Sequence, residues 1–255
     1  MTPVSAGNGS RFADRPVAAG GTSIDEWAGW GRAFPELNLD DCPALVLVAP
    51  HPDDETLGFG ATAATLRARG VDVSVVSVTD GGAAIAGLSR VEREWLEGAR
   101  CAELHRATEI LGLAPPICLG LPDGRVSDHE AELTDTLAGL LAGGPKGTWC
   151  AATWRGDGHP DHEAVGRASA AAAQRTGAVL LEYPVWMWHW AVPDDDGVPW
   201  HRMSRVRLDP VSIARKELAT RVFRTQLVPQ QPEADAILPE FVVPRLLAVG
   251  EAVFR

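Results

Sequence analysis

The sequence predicts an α/β protein with a Rossmann-like, mostly parallel sheet that is covered by helices on both faces. Three observations support this fold class. Strand-like and helix-like segments alternate along most of the chain. The strand-like segments are continuous apolar runs, which is typical of strands buried on both faces of a parallel sheet. With 255 residues, the chain is long enough to bury a full core.

The first strand is predicted at residues 44–49, where the apolar run ALVLVA occurs. The next helix is predicted at residues 55–69, because Gly70 supplies a usual C-terminal stop. The alternation then continues, with predicted strands at 71–79, 117–119, 148–153 and 178–183 and predicted helices at 89–111, 129–141 and 161–175.

Residues 1–40 are predicted to form an N-terminal extension, and residues 41–255 a single domain. Small and polar residues dominate positions 1–23, so we expect that part to be disordered. Aromatic residues favour a short helix within residues 24–38 that packs on the body. No run resembles a signal peptide or a membrane span, and we expect a cytoplasmic location.

Composition restricts the partners that can be expected. The formal net charge of −11 argues against a nucleic-acid-binding surface and against an anchor to anionic membranes. The four cysteines have no CxxC spacing, so we expect free thiols rather than a cysteine metal site. The sequence leaves the oligomeric state open, and a homo-oligomer is compatible with it.

The most informative feature is a doubled motif. His51-Pro52-Asp53-Asp54-Glu55 follows the first predicted strand, and His159-Pro160-Asp161-His162-Glu163 follows the strand at 148–153. In open α/β sheets, ligands bind outside the carboxyl ends of the strands. We therefore expect both turns to converge on one cleft, together with Thr79–Gly82 and Asp123.

A purely structural interpretation explains only part of this motif. Pro52 suits the first position of a helix, and the carboxylates after it complement the helix dipole. That interpretation does not account for His51 or for His162, which lies in the first turn of a predicted helix. We favour a metal site instead.

Catalytic zinc sites often use two histidines and one carboxylate and leave one position open for water. His51 and Asp54 are three residues apart and lie on one face of their turn. Spacing alone leaves either His159 or His162 as the third ligand. The same donor set suits Fe²⁺ or another divalent metal as well as Zn²⁺.

One motif points to a different function. Gly58-Phe59-Gly60-Ala61-Thr62-Ala63 matches the G-x-G-x-x-A pattern of dinucleotide-binding sites. In a true site the first glycine follows the strand directly, whereas Gly58 comes nine residues after Ala49. We therefore predict that these glycines lie inside a helix and allow it to pack closely on the sheet.

Five short motifs together resemble the PIG-L/LmbE-like zinc-dependent N-deacetylases. The resemblance extends over about residues 44–183, with a weaker match to that family's late lysine-containing helix at Lys216–Gln226. The motifs are, in order, Ala49-Pro50-His51-Pro52-Asp53-Asp54-Glu55, Thr79-Asp80-Gly81, Arg100-Cys101-Ala102-Glu103, Leu121-Pro122-Asp123-Gly124 and His159-Pro160-Asp161-His162.

The resemblance implies a set of catalytic roles. His51, Asp54 and His162 would bind zinc, and Asp53 would be the general base. His159 would supply positive charge to the oxyanion, with Asp161 orienting its imidazole or raising its pKa. Either Asp53 or His159 would protonate the leaving amine.

Positions in the substrate pocket follow from the same resemblance. Arg100 and Asp123 match positions that face the sugar or the aglycone, although a surface ion pair would also explain Arg100, and a Pro-Asp-Gly turn would explain Asp123. Trp154 and Asp157 are expected to shape the pocket. Residues 186–190 alternate tryptophans as one face of a strand would, which fits sugar stacking or, as we favour, a hydrophobic wall or subunit interface.

The predicted function is removal of an acetyl or other acyl group from the amide nitrogen of an amino sugar or glycoconjugate by a metal-dependent hydrolase. The expected partner is a small N-acyl sugar or glycoconjugate. The alternatives are an amidase acting on a thiol conjugate or another N-acyl compound, and a catalytically inactive carbohydrate-binding relative.

Overall fold

The computed structural model describes residues 8–230 and 235–255. Its strands are Ala44–Ala49 (β1), Asp72–Thr79 (β2), Ile117–Leu121 (β3), Trp149–Thr153 (β4), Val179–Tyr183 (β5), Met203–Arg205 (β6) and Ala252–Phe254 (β7). They form one seven-stranded sheet with the order β3-β2-β1-β4-β5-β7-β6. Strands β1 to β5 run parallel, and β7 is antiparallel to β5 and β6. The predicted fold class is confirmed.

Helices connect the parallel strands and lie on both faces of the sheet. Within the described residues the helices are Gly9–Ala13 (α1), Ile24–Gly29 (α2), Asp54–Ala68 (α3), Arg90–Leu111 (α4), Glu130–Ala142 (α5), Pro160–Thr176 (α6), Met187–Trp190 (α7), Pro210–Thr220 (α8), Arg224–Leu227 (α9) and Val242–Val249 (α10). In that part of the chain, no helix combines the length and the apolar character needed to cross a membrane.

The core has one layer on each face of the sheet. Side chains of β1 alternate between the layers, with Leu45 and Leu47 in one and Val46 and Val48 in the other. All six residues of β1 are buried, as expected for a central strand. The site described below therefore lies at the end of a fully buried central strand.

The glycine-rich segment lies inside α3, as predicted, and not in a phosphate-binding loop. A Cβ atom on Gly58 would lie 2.2 Å from a ring carbon of Tyr183, so only glycine allows this approach of α3 to β5. The Tyr183 hydroxyl donates a hydrogen bond to the Val48 carbonyl at 2.8 Å. This contact ties β5 to β1 close to the end of the strand that carries the first motif.

The structure corrects the expectation of disorder in the N-terminal region. Residues 1–7 lie outside the described residues, but α1 and a 3₁₀ turn at Val17–Ala19 occupy positions expected to be irregular. The predicted helix at 24–38 is confined to α2, which begins with a capping box between Ser23 and Glu26. Trp27 is buried in the core, which explains why this region packs on the body.

Two further expectations need correction. Residues 187–190 form the short helix α7 rather than a strand, so their tryptophans do not share one face. The late lysine-containing segment is two helices, α8 and α9, with Lys216 buried in the first. Lys216 Nζ donates to the Leu57 carbonyl (2.7 Å) and pairs with Glu251 (2.8 Å), which itself accepts from the Ala61 amide of α3.

Candidate metal centre and active site

Two turns that follow adjacent strands form the candidate site. The first follows β1 and carries His51 and Asp54, and the second follows β4 and carries His159 and His162. After β1 the chain adds β2 toward one edge of the sheet, and after β4 it adds β5 toward the other edge, so the strand order reverses between β1 and β4. Open α/β sheets bind ligands at such a switch point. The doubled motif is thus brought to one edge of the sheet.

The first turn is strained at Asp53, where φ is 132° and ψ is −34°. Residues other than glycine rarely adopt a positive φ, and the surrounding contacts must hold them there. Here the Asp54 amide donates to the His51 carbonyl (3.3 Å), and the Asp53 amide donates to the Glu55 carboxylate (3.0 Å). The turn therefore presents two consecutive carboxylates, Asp53 and Asp54, to one cavity.

His51, Asp54 and His162 bring three potential metal-binding atoms together. Oδ2 of Asp54 lies 3.0 Å from His51 Nδ1 and 3.2 Å from His162 Nε2. The three side chains are nearly or fully buried, the most exposed being His51 at 12%. Two imidazoles and one carboxylate are the donor set that zinc uses when its fourth position is open.

An orphaned nitrogen supports a metal at this point. His162 Nε2 is buried and makes no well-directed hydrogen bond, although Asp54 Oδ2 lies 3.2 Å away, whereas Nδ1 of the same ring is engaged by the Asp157 carboxylate at 2.8 Å. Although burial opposes charge on the ring, Asp54 and Asp157 raise the pKa of His162 to about 9. The centre therefore favours positive charge beside Nε2, and a divalent cation such as Zn²⁺ or Fe²⁺ fits the residues present.

The geometry distinguishes the two histidines of the second turn. His159 is the N-cap of α6, and its Nδ1 accepts a hydrogen bond from the Asp161 amide at 3.3 Å. A second set of ligand atoms, from His51, His159 and Asp161, is also compact enough to surround an ion. In that set, His159 Nδ1 and both oxygens of the Asp161 carboxylate accept from backbone amides. In the other set, Asp54 accepts one backbone amide, from His51, through Oδ2 alone, and His162 Nε2 accepts none. We therefore favour the set containing Asp54 and His162.

Asp157, predicted to shape the substrate pocket, lies behind the cavity and not in its lining. Its side chain is fully buried, and its carboxylate accepts from the backbone amides of residues 185, 186 and 187, each at 2.9 Å, besides His162 Nδ1. Trp154, predicted to shape the pocket, is also in the core, where its ring lies 4.6 Å from that of Phe254. Asp157 orients His162, a candidate metal ligand, and Trp154 packs in the core at the start of the turn that follows β4.

The carboxylates of Asp161 and Asp123 both lie close to Nε2 of His51. The Asp161 carboxylate accepts from the Gly124 amide (2.7 Å) and the Val126 amide (3.2 Å), and lies 3.4 Å from His51 Nε2. Asp161 contacts His159 through its backbone amide, which donates to His159 Nδ1 at 3.3 Å. Its carboxylate acts to raise the pKa of His159, as expected, although burial and the charges of His162 and His51 outweigh that effect. Asp123 lines the cavity as predicted for a substrate contact, but its carboxylate lies 3.0 Å from His51 Nε2. Such partners fix the ring orientation of a metal-binding histidine.

Asp53 lies beside the ligands and is not one of them. Burial and the neighbouring Asp54 carboxylate raise the pKa of Asp53 to about 8, against the opposing charge of Arg100. Arg100 is buried, donates to the carbonyls of Gly81 (3.0 Å) and Pro52 (2.9 Å), and lies 3.6 Å from Asp53. The surface ion pair considered for Arg100 is therefore wrong, since the guanidinium braces the strained turn and lines the cavity.

The surroundings of His159 disfavour the positive charge that the resemblance assigns to it. Burial, together with the positive charges of His162 and His51, lowers the pKa of His159 to about 3. Since Nδ1 accepts from the Asp161 amide, the ring hydrogen is on Nε2. The side chain lines the cavity. His159 can therefore donate a hydrogen bond to an oxyanion, but it carries no charge of its own.

A cavity of about 360 Å³ opens at this edge of the sheet, next to the candidate ligands. This volume is sufficient for a small ligand. Trp186 lines it, whereas Trp188 and Trp190 are buried in the core, so the expected wall is formed by one of the three tryptophans. Sequence reasoning missed the other apolar lining residues, which come from short or irregular segments without periodicity: Phe12, Val17, Ile237, Leu238 and Val242.

The comparisons with known proteins agree with this geometry. The family model described as PIG-L: GlcNAc-PI de-N-acetylase matches residues 46–173. A 1D-myo-inositol 2-acetamido-2-deoxy-alpha-D-glucopyranoside deacetylase of Mycobacterium sp. (strain JLS) is 34% identical over 187 residues, which are 61% of this chain and 56% of that protein. A protein of the same name from Nocardia farcinica is 31% identical over 64% of this chain and 62% of its own length. The chain thus matches little more than half the length of these relatives.

Solved structures agree on the fold. N,N'-diacetylchitobiose deacetylase from Pyrococcus horikoshii resembles the chain with a TM-score of 0.56 and 21% identity, over 75% of this chain and 73% of that one. At this identity the likeness concerns the fold alone.

Proposed function

This chain belongs to the PIG-L (GlcNAc-PI de-N-acetylase) family, and from that premise we propose that it is a metal-dependent hydrolase that removes an acetyl group from the nitrogen of an amino sugar or glycoconjugate. The observation that carries the proposal is the position of Asp53. Its carboxylate lines the cavity next to a buried His-Asp-His donor set and stands outside that set. The names of the relatives supply the amino sugar as the substrate class.

The reaction needs a nucleophile and a polarised amide. His51, Asp54 and His162 would hold the metal, which when bound lowers the pKa of a water to about 7 and polarises a carbonyl. The ring nitrogens that would not bind the metal are held by carboxylates: His51 Nε2 lies beside Asp123 and Asp161, and His162 Nδ1 beside Asp157. These contacts would keep both rings in the orientation that metal binding needs.

Asp53 acts as the general base. The water oxygen bonds to the amide carbon while the Asp53 carboxylate, which lines the same cavity as His51 and Asp54, accepts the water's proton. A carboxylate with a raised pKa is suited to this step, because a proton acceptor works best when its pKa is near the working pH. Arg100 keeps the turn in place through the carbonyls of Pro52 and Gly81.

Different groups stabilise the oxyanion and protonate the leaving amine. His159 donates its Nε2 hydrogen to the developing oxyanion as a neutral imidazole. The amine nitrogen takes the proton that Asp53 received from water as the C–N bond breaks, and the products are a carboxylic acid and a free amine, which ionise to a carboxylate and an ammonium ion. We assign this last transfer to Asp53, because it holds the proton taken from the water.

Release of free amine from N-acetylglucosamine and simple N-acetylglucosaminides tests the proposal. We expect metal-dependent turnover by the unaltered protein and its loss in Asp53→Asn, with metal content unchanged. Binding of these sugars without amine release, at any metal loading, would instead favour a carbohydrate-binding protein and overturn the proposal.

A further inference from the structure

The cavity has a polar floor and an apolar wall. The floor consists of the histidines and carboxylates already described. The wall is formed by Phe12, Val17, Trp186, Ile237, Leu238 and Val242. All six lie outside residues 46–173, the part of the chain that the family model matches. These six wall residues therefore come from segments before and after the part of the chain that carries the candidate metal ligands, and they stand beside further apolar lining residues such as Leu57.

Phe12 is held firmly in this wall. The amide of Asn8 donates to the Glu163 carboxylate (2.9 Å), and its side-chain nitrogen donates to the Gly156 carbonyl (2.8 Å). Arg11 pairs with Asp195 and lies 4.3 Å over the ring of Trp190. These contacts fix the residues that precede Phe12 to the body.

The Phe12 ring packs against two groups of the cavity. Its centroid is 5.2 Å from that of Trp186 and 6.3 Å from that of His159. An aromatic pair at such a distance forms a stable surface. The apolar wall therefore stands directly beside the histidine that faces the reacting amide.

The chemistry of the wall decides what can bind there. Among its six described residues, the indole N–H of Trp186 is the one side-chain hydrogen-bonding group. A polyol placed against this wall would lose water from its hydroxyls without gaining partners, which is unfavourable. An apolar group gains about fourfold in binding for each methylene that it buries.

We propose that the preferred substrate carries an apolar group next to the hydrolysed amide and that the wall of Phe12, Val17, Trp186, Ile237, Leu238 and Val242 binds it. This inference rests on the proposed function for the reaction itself. The apolar group is carried either by the acyl side or by the amine side of the amide, since the wall would recognise the same chemistry on both.

Two substrate series test the inference on the unaltered enzyme. One is glucosamine acylated with acetyl, butanoyl or hexanoyl groups, and the other is N-acetylglucosamine with a methyl, butyl or hexyl aglycone. We expect kcat/KM for amine release to rise by about fourfold per added methylene until the wall is covered, in whichever series places its alkyl chain against the wall. Values that stay flat or fall in both series, with N-acetylglucosamine hydrolysed, would overturn the inference and leave the proposed function intact.

Binding measurements keep the inference testable if no member is hydrolysed. Alkyl glucosides of increasing chain length have no amide, so calorimetry with them reports on the wall alone. We expect tighter binding with longer chains. Affinity independent of chain length, together with an absence of turnover, would overturn both the inference and the proposed function.

A matched pair of variants locates the effect. Phe12→Ala should lower the preference for the hexyl or hexanoyl member over the shortest member by roughly tenfold, whereas Phe12→Leu should largely preserve it. Phe34→Ala removes the same atoms from another half-buried cluster, where its ring lies 5.4 Å from Trp30, and should leave the preference unchanged. Equal effects of Phe12→Ala and Phe34→Ala would show that the wall does not select the substrate.

Discussion

Replacement of Asp157 by asparagine distinguishes a residue that orients a metal ligand from one that contacts substrate. Oδ1 of Asp157 accepts from the Val185 and Met187 amides, and Oδ2 accepts from the Trp186 amide and His162 Nδ1. Asparagine has one acceptor oxygen and one donor nitrogen in the same space. In either amide orientation, two of the four hydrogen bonds are therefore lost, and the donor nitrogen faces other donors.

The size of the effect follows from these contacts. A hydrogen bond to a charged group contributes about 1.5–3 kcal/mol, so the loss of two should lower the free energy of unfolding by about 3–6 kcal/mol. That is a large part of the roughly 5–15 kcal/mol that stabilises a typical domain. Loss of the negative charge behind His162 also weakens its ring as a ligand, and we expect a 10- to 100-fold lower metal affinity, as is typical of such partners.

Two assays and one control complete the test. Urea unfolding should be measured on metal-free protein, so that bound metal does not add to the stability, and Zn²⁺ affinity by equilibrium dialysis. Glu182→Gln is the control, because Glu182 is a buried carboxylate that pairs with Arg155 (2.7 Å) and Arg202 (3.2 Å). We expect it to lower stability but not metal affinity. An Asp157→Asn protein with unchanged stability and metal affinity but a raised KM would refute this reasoning.

Three further predictions concern catalysis, metal binding and stability. Asp53→Asn should lower kcat by about 10² or more with metal content unchanged, as steady-state kinetics and elemental analysis would show; near-normal turnover would remove Asp53 from its role as base. His162→Ala should abolish zinc retention, while His159→Ala should retain it; the opposite pattern would reverse our ligand assignment. Lys216→Met leaves Glu251 buried without its 2.8 Å partner and should lower the free energy of unfolding by about 3–5 kcal/mol in urea titrations; a change below 1 kcal/mol would show that the pair is already well hydrated.

The features that could be predicted from the sequence are those determined by neighbouring residues along the chain. A buried strand followed by His51, Asp53 and Asp54 places these groups at the carboxyl edge of a parallel sheet, whatever the rest of the chain does. The alternation of strand and helix fixed the class of fold for the same reason. The choice between His159 and His162 was different, because both begin the same helix and spacing does not separate them.

Long-range hydrogen bonds decided the points that could not be predicted. The Asp161 carboxylate is occupied by amides of residues 124 and 126, more than thirty positions earlier in the chain. No local pattern indicates that pairing, so the sequence offered His159 as the nearest partner for Asp161. Phe12 illustrates the same limit, since its small and polar neighbours predict disorder while its contacts are with Trp186 and His159.

The same reasoning explains why the tryptophans at 186–190 form a helix rather than the strand that their alternation suggests. A helix leaves its first amides without partners, and here the amides of residues 185, 186 and 187 all donate to Asp157. Asp157 thereby satisfies the start of a helix that is remote in sequence while its Oδ2 holds His162. One buried carboxylate thus holds both the ring of His162 and the backbone of Trp186, so we expect a substitution of Asp157 to change metal affinity and substrate preference together.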